Sequence, residues 1–204
     1  MATLAERAAG LNRSRARRGR ARPSMALLTD RARVPDPLAL LPFLSVGALV
    51  VLRDYGARDR RDFAQRLARA CRARRLILLV ADDLDLAVAL NTGLHLPEWR
   101  ARTAGARIRL WHRNGRRTMS AAAHSRMAVV RAATAGADLA LLGPVFATAS
   151  HAEARPLGAI RFRLWVRDAK LPVWALGGVN RGTIDRLKNA GAGGVATVGG
   201  LTRR

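Results

Sequence analysis

The chain has 204 residues, with 37 Lys or Arg against 14 Asp or Glu, and a formal net charge of +23 at pH 7. Half of the residues are hydrophobic, which excludes a disordered polar chain and allows a sizeable core. The single cysteine, Cys71, excludes a disulfide framework, and no apolar run is long enough to predict a transmembrane span. The basic charge favours anionic ligands.

The first 24 residues differ in composition from the rest of the chain. They hold seven arginines, and from Asn12 to Arg22 no apolar side chain is larger than alanine. A secretory signal would need an apolar segment, which is missing here. We therefore predict a flexible Arg-rich tail over residues 1–24 and one folded domain over residues 25–204.

From residue 25 onward, short apolar runs alternate with helical patterns. Strands are predicted at residues 26–29, 48–53, 76–81, 93–96, 118–123, 139–145, 173–176 and 194–198. Helices are predicted at 35–44, 58–74, 84–91, 125–135, 160–169 and 183–190, whereas 100–116 shows no clear pattern. Eight strands that mostly alternate with helices predict a parallel (βα)₈ TIM barrel in the α/β class, rather than an open sheet.

No helix is predicted after the last strand, so the outer faces of the first and last strands need another cover. Two candidates are left open. One is the segment of residues 2–11, if it is helical, and the other is a second copy of the chain in a dimer.

In a parallel barrel, functional residues lie at the carboxyl ends of the strands. Glycine pairs follow the seventh strand (Gly177 and Gly178) and the eighth (Gly199 and Gly200). Backbone N–H groups reach an oxyanion closely only where no Cβ intervenes, and the helix predicted from Thr183 would add a favourable dipole. These glycines predict a phosphate site; the alternative is that they only form tight turns.

Two longer segments now support a family resemblance. The segment Gly-Pro-Val-Phe-Ala-Thr-Ala-Ser at 143–150 resembles the GPVFxTxT loop of the thiamine phosphate synthase/TenI family. The segment Pro-Val-Trp-Ala-Leu-Gly-Gly-Val-Asn at 172–180 resembles its PVxAxGGIN strand. Shorter likenesses at 26–30, 52–54, 82–87, 93–96 and 194–201 follow in the same order.

The resemblance implies a TIM barrel that handles a thiazole phosphate. The family's synthase joins a pyrimidine diphosphate to this substrate with Mg²⁺ and releases pyrophosphate, whereas its tautomerase aromatises the thiazole by proton transfer. By resemblance, the substrate and its phosphate would contact the following six residues: Thr148, Ser150, Gly177, Gly178, Val198 and Gly199.

Several synthase residues are replaced in this chain. Arg53 persists from the family's QLREK segment and is a candidate catalytic residue, but the lysine of that segment is Tyr55. The lysine that ends the GPVF loop is His151. Because departing pyrophosphate needs cations and a metal to absorb its charge, these replacements argue against the synthase reaction.

The family's metal site is also altered. Asp82 remains as a candidate Mg²⁺ ligand, and Mg²⁺ would be the cofactor if the chain is a synthase. The second acidic ligand falls near Trp99 and Arg100, where Glu98 is the only acid nearby. Asp83 and Asp85 are alternatively explained as acids at a helix N-terminus.

The surviving residues favour the tautomerase chemistry. His124 matches the position of the tautomerase's acid–base histidine, and an imidazole moves protons near pH 7 without a metal. The alternative is that His124 caps the helix that starts at Ser125. His95 is predicted to be structural, lining the barrel mouth.

The predicted function is therefore proton transfer on a thiazole phosphate in the cytoplasm, with no membrane partner. A genuine synthase and a non-catalytic binder of a phosphate ligand stay open as alternatives. Nucleic-acid binding is less favoured, because +23 by itself predicts only non-specific adhesion. A homo-oligomer is also compatible with the sequence.

Overall fold

The computed structural model describes residues 3–12, 23–115, 117–148, 153 and 155–201. Eight parallel strands pair in sequence order, and β8 pairs with β1 to close a barrel. This confirms the predicted (βα)₈ TIM barrel. The strands are β1 (Met25–Leu28), β2 (Leu49–Leu52), β3 (Ile77–Ala81), β4 (Gly93–Leu96), β5 (Met119–Ala123), β6 (Leu139–Leu142), β7 (Val173–Leu176) and β8 (Gly194–Thr197).

The helices surround this barrel. Those of the described residues are α1 (Leu4–Asn12), α2 (Arg60–Ala73), α3 (Leu84–Ala89), α4 (Glu98–Arg102), α5 (Ala106–Gly115), α6 (Arg126–Thr134) and α7 (Gly158–Val166). Two 3₁₀ helices span Pro37–Phe43 and Ile184–Leu187. None of these helices is long and apolar enough to span a bilayer.

Two predicted helices differ from the observed ones. The segment predicted at 35–44 is a 3₁₀ helix with Pro42 inside it, and proline lacks the N–H that a regular α-helix needs. The helix predicted at 183–190 is a single 3₁₀ turn, because the chain leaves helical geometry at Lys188 and turns left-handed at Asn189. The prediction of a helix dipole from Thr183 is therefore wrong.

The core has two parts because successive residues of a strand face opposite sides of the sheet. Leu49 and Val51 of β2 pack inside the barrel, whereas Val50 and Leu52 pack outside it against the helices. Among the outer residues is Cys71 of α2, where burial raises the pKa of the thiol to about 12. A thiol in this state is protonated, as expected for a core residue.

Helix α1 lies against β1, β8 and the second 3₁₀ helix, with Leu4 and Ala8 buried. Thr3 and Glu6 cap its start reciprocally, with Thr3 N donating to Glu6 Oε2 (2.7 Å) and Glu6 N donating to Thr3 Oγ1 (3.2 Å). Over residues 4–12, the predicted flexible tail is therefore wrong, and a helix covers the first and last strands. Residues 13–22 of that predicted tail lie outside the described residues.

Because Ala8 is fully buried against the barrel and Ala9 is exposed, one substitution at each position tests this docking. Ala8→Glu should lower the free energy of unfolding by about 3 kcal/mol, since it buries a charge without a partner. Ala9→Glu should leave it nearly unchanged. Urea unfolding followed by circular dichroism measures both, and equal effects would contradict the docking of α1.

Candidate active site

The described candidate residues follow different strands but lie at one rim, the carboxyl end of the barrel. They follow their strands in this order: Arg53 after β2, Asp82 after β3, His124 after β5, Thr148 in the loop after β6, Gly177 and Gly178 after β7, and Val198 and Gly199 after β8. Ser150 and His151 lie outside the described residues.

Gly177 and Gly178 adopt left-handed backbone conformations, with φ of +89° and +64°. A Cβ on Gly177 would lie 2.8 Å from Pro144 Cα, and one on Gly178 would lie 2.7 Å from Phe146 Cβ. The loop that crowds them is held by Phe146 N, which donates to Gly177 O at 3.0 Å. The glycines are therefore required by the contact with this loop, whether or not they also hold a phosphate.

Four backbone N–H groups lie at the adjacent carboxyl ends of β7 and β8, where they could bind an anion. Within the described parts of the chain, no acceptor takes a hydrogen bond from the N–H groups of Gly177, Gly178, Val198 or Gly199, and all four residues are partly exposed. Backbone donors are normally paired with protein or water. We call these four groups the N–H cluster; they are available to an oxyanion from solvent.

Arg53 is held at the ends of β1 and β2. Its Nε donates to Thr29 O at 3.3 Å, and its Nη2 donates to Asp30 Oδ2 at 3.2 Å. The Arg53 side chain is 29% exposed to solvent. The cation is therefore fixed in direction while part of it faces solvent at the rim.

His95 lies inside the barrel and its side chain is buried. Its Nδ1 is 2.7 Å from Ser120 Oγ, and the two residues are register partners in β4 and β5. Burial and the nearby charge of Arg53 lower the pKa of His95 to about 3. The imidazole is neutral near pH 7, which is consistent with the structural role predicted for it.

His124 forms a pair with Glu98, the first residue of α4. Its Nδ1 is 2.8 Å from Glu98 Oε2, and its backbone N donates to the same oxygen at 2.9 Å. Arg131 Nη1 lies 3.9 Å from the other carboxylate oxygen. The carboxylate favours a proton on Nδ1, which puts the basic lone pair on Nε2. The imidazole is half-exposed at the rim.

The alternative that His124 caps α6 is wrong. Ser125 is the N-cap, because its Oγ accepts a hydrogen bond from Ala128 N at 3.1 Å. In the sequence, Glu98 is an acid near the replaced metal ligand, and its pairing with His124 was not predicted. The available signal was that Glu98 follows β4, whose neighbour β5 ends next to His124.

Asp82 is paired with an arginine rather than with a second acid. Arg100 Nε donates to Asp82 Oδ1 at 2.6 Å. Asp83 caps α3 by accepting from Leu86 N at 2.9 Å, as the helix alternative predicted. Across the residues that the structure describes, no three His, Cys, Asp or Glu side chains could together hold a metal ion. Because Mg²⁺ needs a carboxylate that is not already neutralised and Asp82 bears the Arg100 guanidinium, the described residues do not fit a Mg²⁺ site.

Comparisons with known proteins agree with the resemblance. The sequence pattern of a family described as "Thiamine monophosphate synthase" matches residues 36–201. A "Putative thiamine-phosphate synthase" of Geobacter sulfurreducens is 32% identical over 87% of this chain and 86% of its own length. A "Thiamine-phosphate synthase" of a Synechococcus strain is 33% identical over 68% of this chain, but the match spans only 38% of that protein.

Among solved structures, a "Thiamine phosphate pyrophosphorylase" from Pyrococcus furiosus is similar, with a TM-score of 0.66. The similarity covers 86% of this chain and 85% of the other, at 22% identity. At this identity, the likeness supports the fold alone.

The lowered pKa of His95 predicts how stability depends on pH. Below pH 6.5 the unfolded chain protonates this side chain, whereas the folded chain does not until about pH 3. Stability should therefore fall as pH falls through this window, by up to about 1.4 kcal/mol per pH unit from this group. His95→Asn should remove that part of the slope. Urea unfolding between pH 7 and 4.5 measures it, and parallel curves for the two proteins would contradict the assignment.

A substitution at Gly199 tests the N–H cluster, because the fold has room for a side chain at this position. Among the described residues, a Cβ there would meet only Val34 Cγ2, at 3.4 Å, and no left-handed φ is required. Gly199→Asp adds a negative charge beside the cluster and should weaken the binding of inorganic phosphate about tenfold. Ala73→Asp, at an exposed position at the end of α2 and therefore at the opposite end of the barrel, is the charge-matched control. Calorimetric titration with equal affinities for both variants would place phosphate elsewhere.

Proposed function

This chain belongs to the thiamine monophosphate synthase family, and we propose that it transfers a proton within a thiazole phosphate to give the aromatic ring. The observation that carries this proposal is the His124–Glu98 pair at the rim, with Nδ1 and Oε2 2.8 Å apart. A carboxylate-oriented imidazole is the arrangement that general acid–base catalysis requires.

The proposed reaction uses only groups of this chain. His124 Nε2 removes a proton from a ring carbon, and the electrons of the broken C–H bond move into the ring system. The imidazolium, stabilised by Glu98, then returns a proton to a different carbon. One C–H bond breaks and another forms, so no leaving group, oxidant or co-reactant is needed. The N–H cluster would hold the substrate's phosphate during both steps.

A synthase is the second candidate, and the names of the relatives favour it. That reaction would have to stabilise departing pyrophosphate, and the residues available differ from the family's. Tyr55 stands at one lysine position of the family, and Arg100 lies near the position of its second acidic ligand. These replacements favour the proton transfer over the displacement.

Removing the imidazole tests the proposal. His124→Ala should lower turnover of the non-aromatic thiazole phosphate by a factor of about 10² to 10⁴, the usual contribution of a general acid–base group. Affinity for the phosphate should change only a few-fold, because the N–H cluster is untouched. Aromatisation followed by ultraviolet absorbance gives turnover, and calorimetry with inorganic phosphate gives affinity.

His112→Ala provides the matched control. His112 also pairs with a carboxylate, with its Nε2 2.9 Å from Asp138 Oδ2, but it lies on α5 rather than at the rim. Its loss should leave turnover unchanged. Full activity of His124→Ala would remove His124 from the mechanism, and absence of turnover in the unmodified protein, with phosphate bound normally, would favour a non-catalytic binder.

A further inference from the structure

The Arg100–Asp82 pair occupies the region in which the family resemblance would place a divalent cation. Asp82 has a left-handed backbone, with φ of +56°, and its N–H donates to His95 O at 3.0 Å. This turn at the end of β3 places the carboxylate against α4, where Arg100 Nε contacts it. Only 19% of the Asp82 side chain is exposed, so the pair is partly shielded from solvent.

Arg100 is held on a second side by an aromatic ring. Its guanidinium carbon lies 4.7 Å from the centre of the Trp99 ring, within the range of a cation–π contact. Among the described residues, Arg100 donates only through Nε, to Asp82, and its terminal nitrogens Nη1 and Nη2 have no hydrogen-bond acceptor there. The guanidinium is thus fixed in place while most of its donors remain available.

The neighbouring carboxylates are engaged elsewhere and do not complete a metal site. Asp83 caps α3 and also pairs with Arg60, whose Nη1 lies 3.1 Å away. Glu98 holds His124. A divalent cation at Asp82 would therefore meet one carboxylate that already bears a guanidinium, whose positive charge would repel the ion.

We propose that Arg100 is a built-in cation that replaces the metal, so that this side of the rim binds an anionic phosphate or diphosphate group without a divalent ion. A guanidinium supplies a fixed positive charge and paired donors that match phosphate oxygens. This inference concerns binding rather than turnover, and its test does not depend on which reaction the chain catalyses.

The first arm of the test measures binding of Mn²⁺, a paramagnetic substitute for Mg²⁺, by electron paramagnetic resonance. The unmodified protein should bind no Mn²⁺ at this site up to about 1 mM, whereas Arg100→Asp should gain at least about tenfold in affinity, because ligand charge sets affinity for hard cations. Adding Asp82→Asn to Arg100→Asp should abolish the gain. Arg100→Asn removes the cation without adding a second carboxylate and should gain a smaller amount.

Arg102→Asp is the control for overall charge. Arg102 is exposed on the same helix, so this variant has the same net charge as Arg100→Asp without a change at Asp82. It should gain no Mn²⁺ affinity. The proposal is overturned if the unmodified protein binds Mn²⁺ at submillimolar concentration and Asp82→Asn abolishes that binding, or if Arg102→Asp gains as much as Arg100→Asp.

The second arm measures pyrophosphate binding by calorimetry with excess EDTA. Affinity in the unmodified protein should be the same with EDTA as with Mg²⁺. Arg100→Gln should weaken it about tenfold, the loss expected for hydrogen bonds to a charged group, whereas Arg102→Gln should leave it unchanged. Pyrophosphate binding that appears only when Mg²⁺ is added, or equal losses in the two variants, would overturn the proposal.

Discussion

Backbone hydrogen bonds between β8 and β1, with Met25 opposite Val195 and Leu27 opposite Thr197, turn an eight-stranded parallel sheet into a closed barrel. Closure brings the carboxyl ends of all strands to one rim. Residues that are distant in the sequence, such as Arg53 and His124, therefore share that rim. Helix α1 contacts both strands of this seam and excludes water from its outer face.

The rim is rich in both arginines and carboxylates, and pairing between them decides its chemistry. Asp30 is engaged by Arg53, Asp82 by Arg100, and Glu98 by His124. The carboxylates thereby orient two arginines and an imidazole instead of coordinating a metal ion. Under the proposed function, such a rim suits an anionic substrate and proton transfer, because its charges are already fixed by their partners.

The architecture could be predicted from the sequence because each strand is a short apolar run between turn residues. All eight predicted strand segments match observed strands, and α2 follows from its apolar residues at every fourth position. The helix predicted from Thr183 was wrong because the backbone at Lys188 and Asn189 leaves helical geometry after one turn. The tail prediction failed over α1 because this helix buries few apolar side chains, among them Leu4 and Ala8. Their burial depends on the seam between β1 and β8 that they cover.

The candidate site was predictable only in part. Each residue at the end of a strand could be identified, but the partners depend on which strands are neighbours and where each side chain reaches. The Glu98–His124 and Arg100–Asp82 pairs each join segments 18 or more residues apart. Such pairs follow from barrel closure and from the start of α4 at Glu98, and neither is visible as a sequence motif.

We propose that this rim moves a proton and needs no leaving group. The most direct measurement is incubation of the unmodified protein with the non-aromatic thiazole phosphate alone, in D₂O with EDTA, followed by mass spectrometry. We expect protein-dependent formation of the aromatic isomer, carrying one carbon-bound deuterium because the half-exposed His124 imidazolium exchanges its protons with solvent. The proposal would be contradicted if the thiazole phosphate stayed unchanged and thiamine phosphate formed once a pyrimidine diphosphate and Mg²⁺ replaced the EDTA.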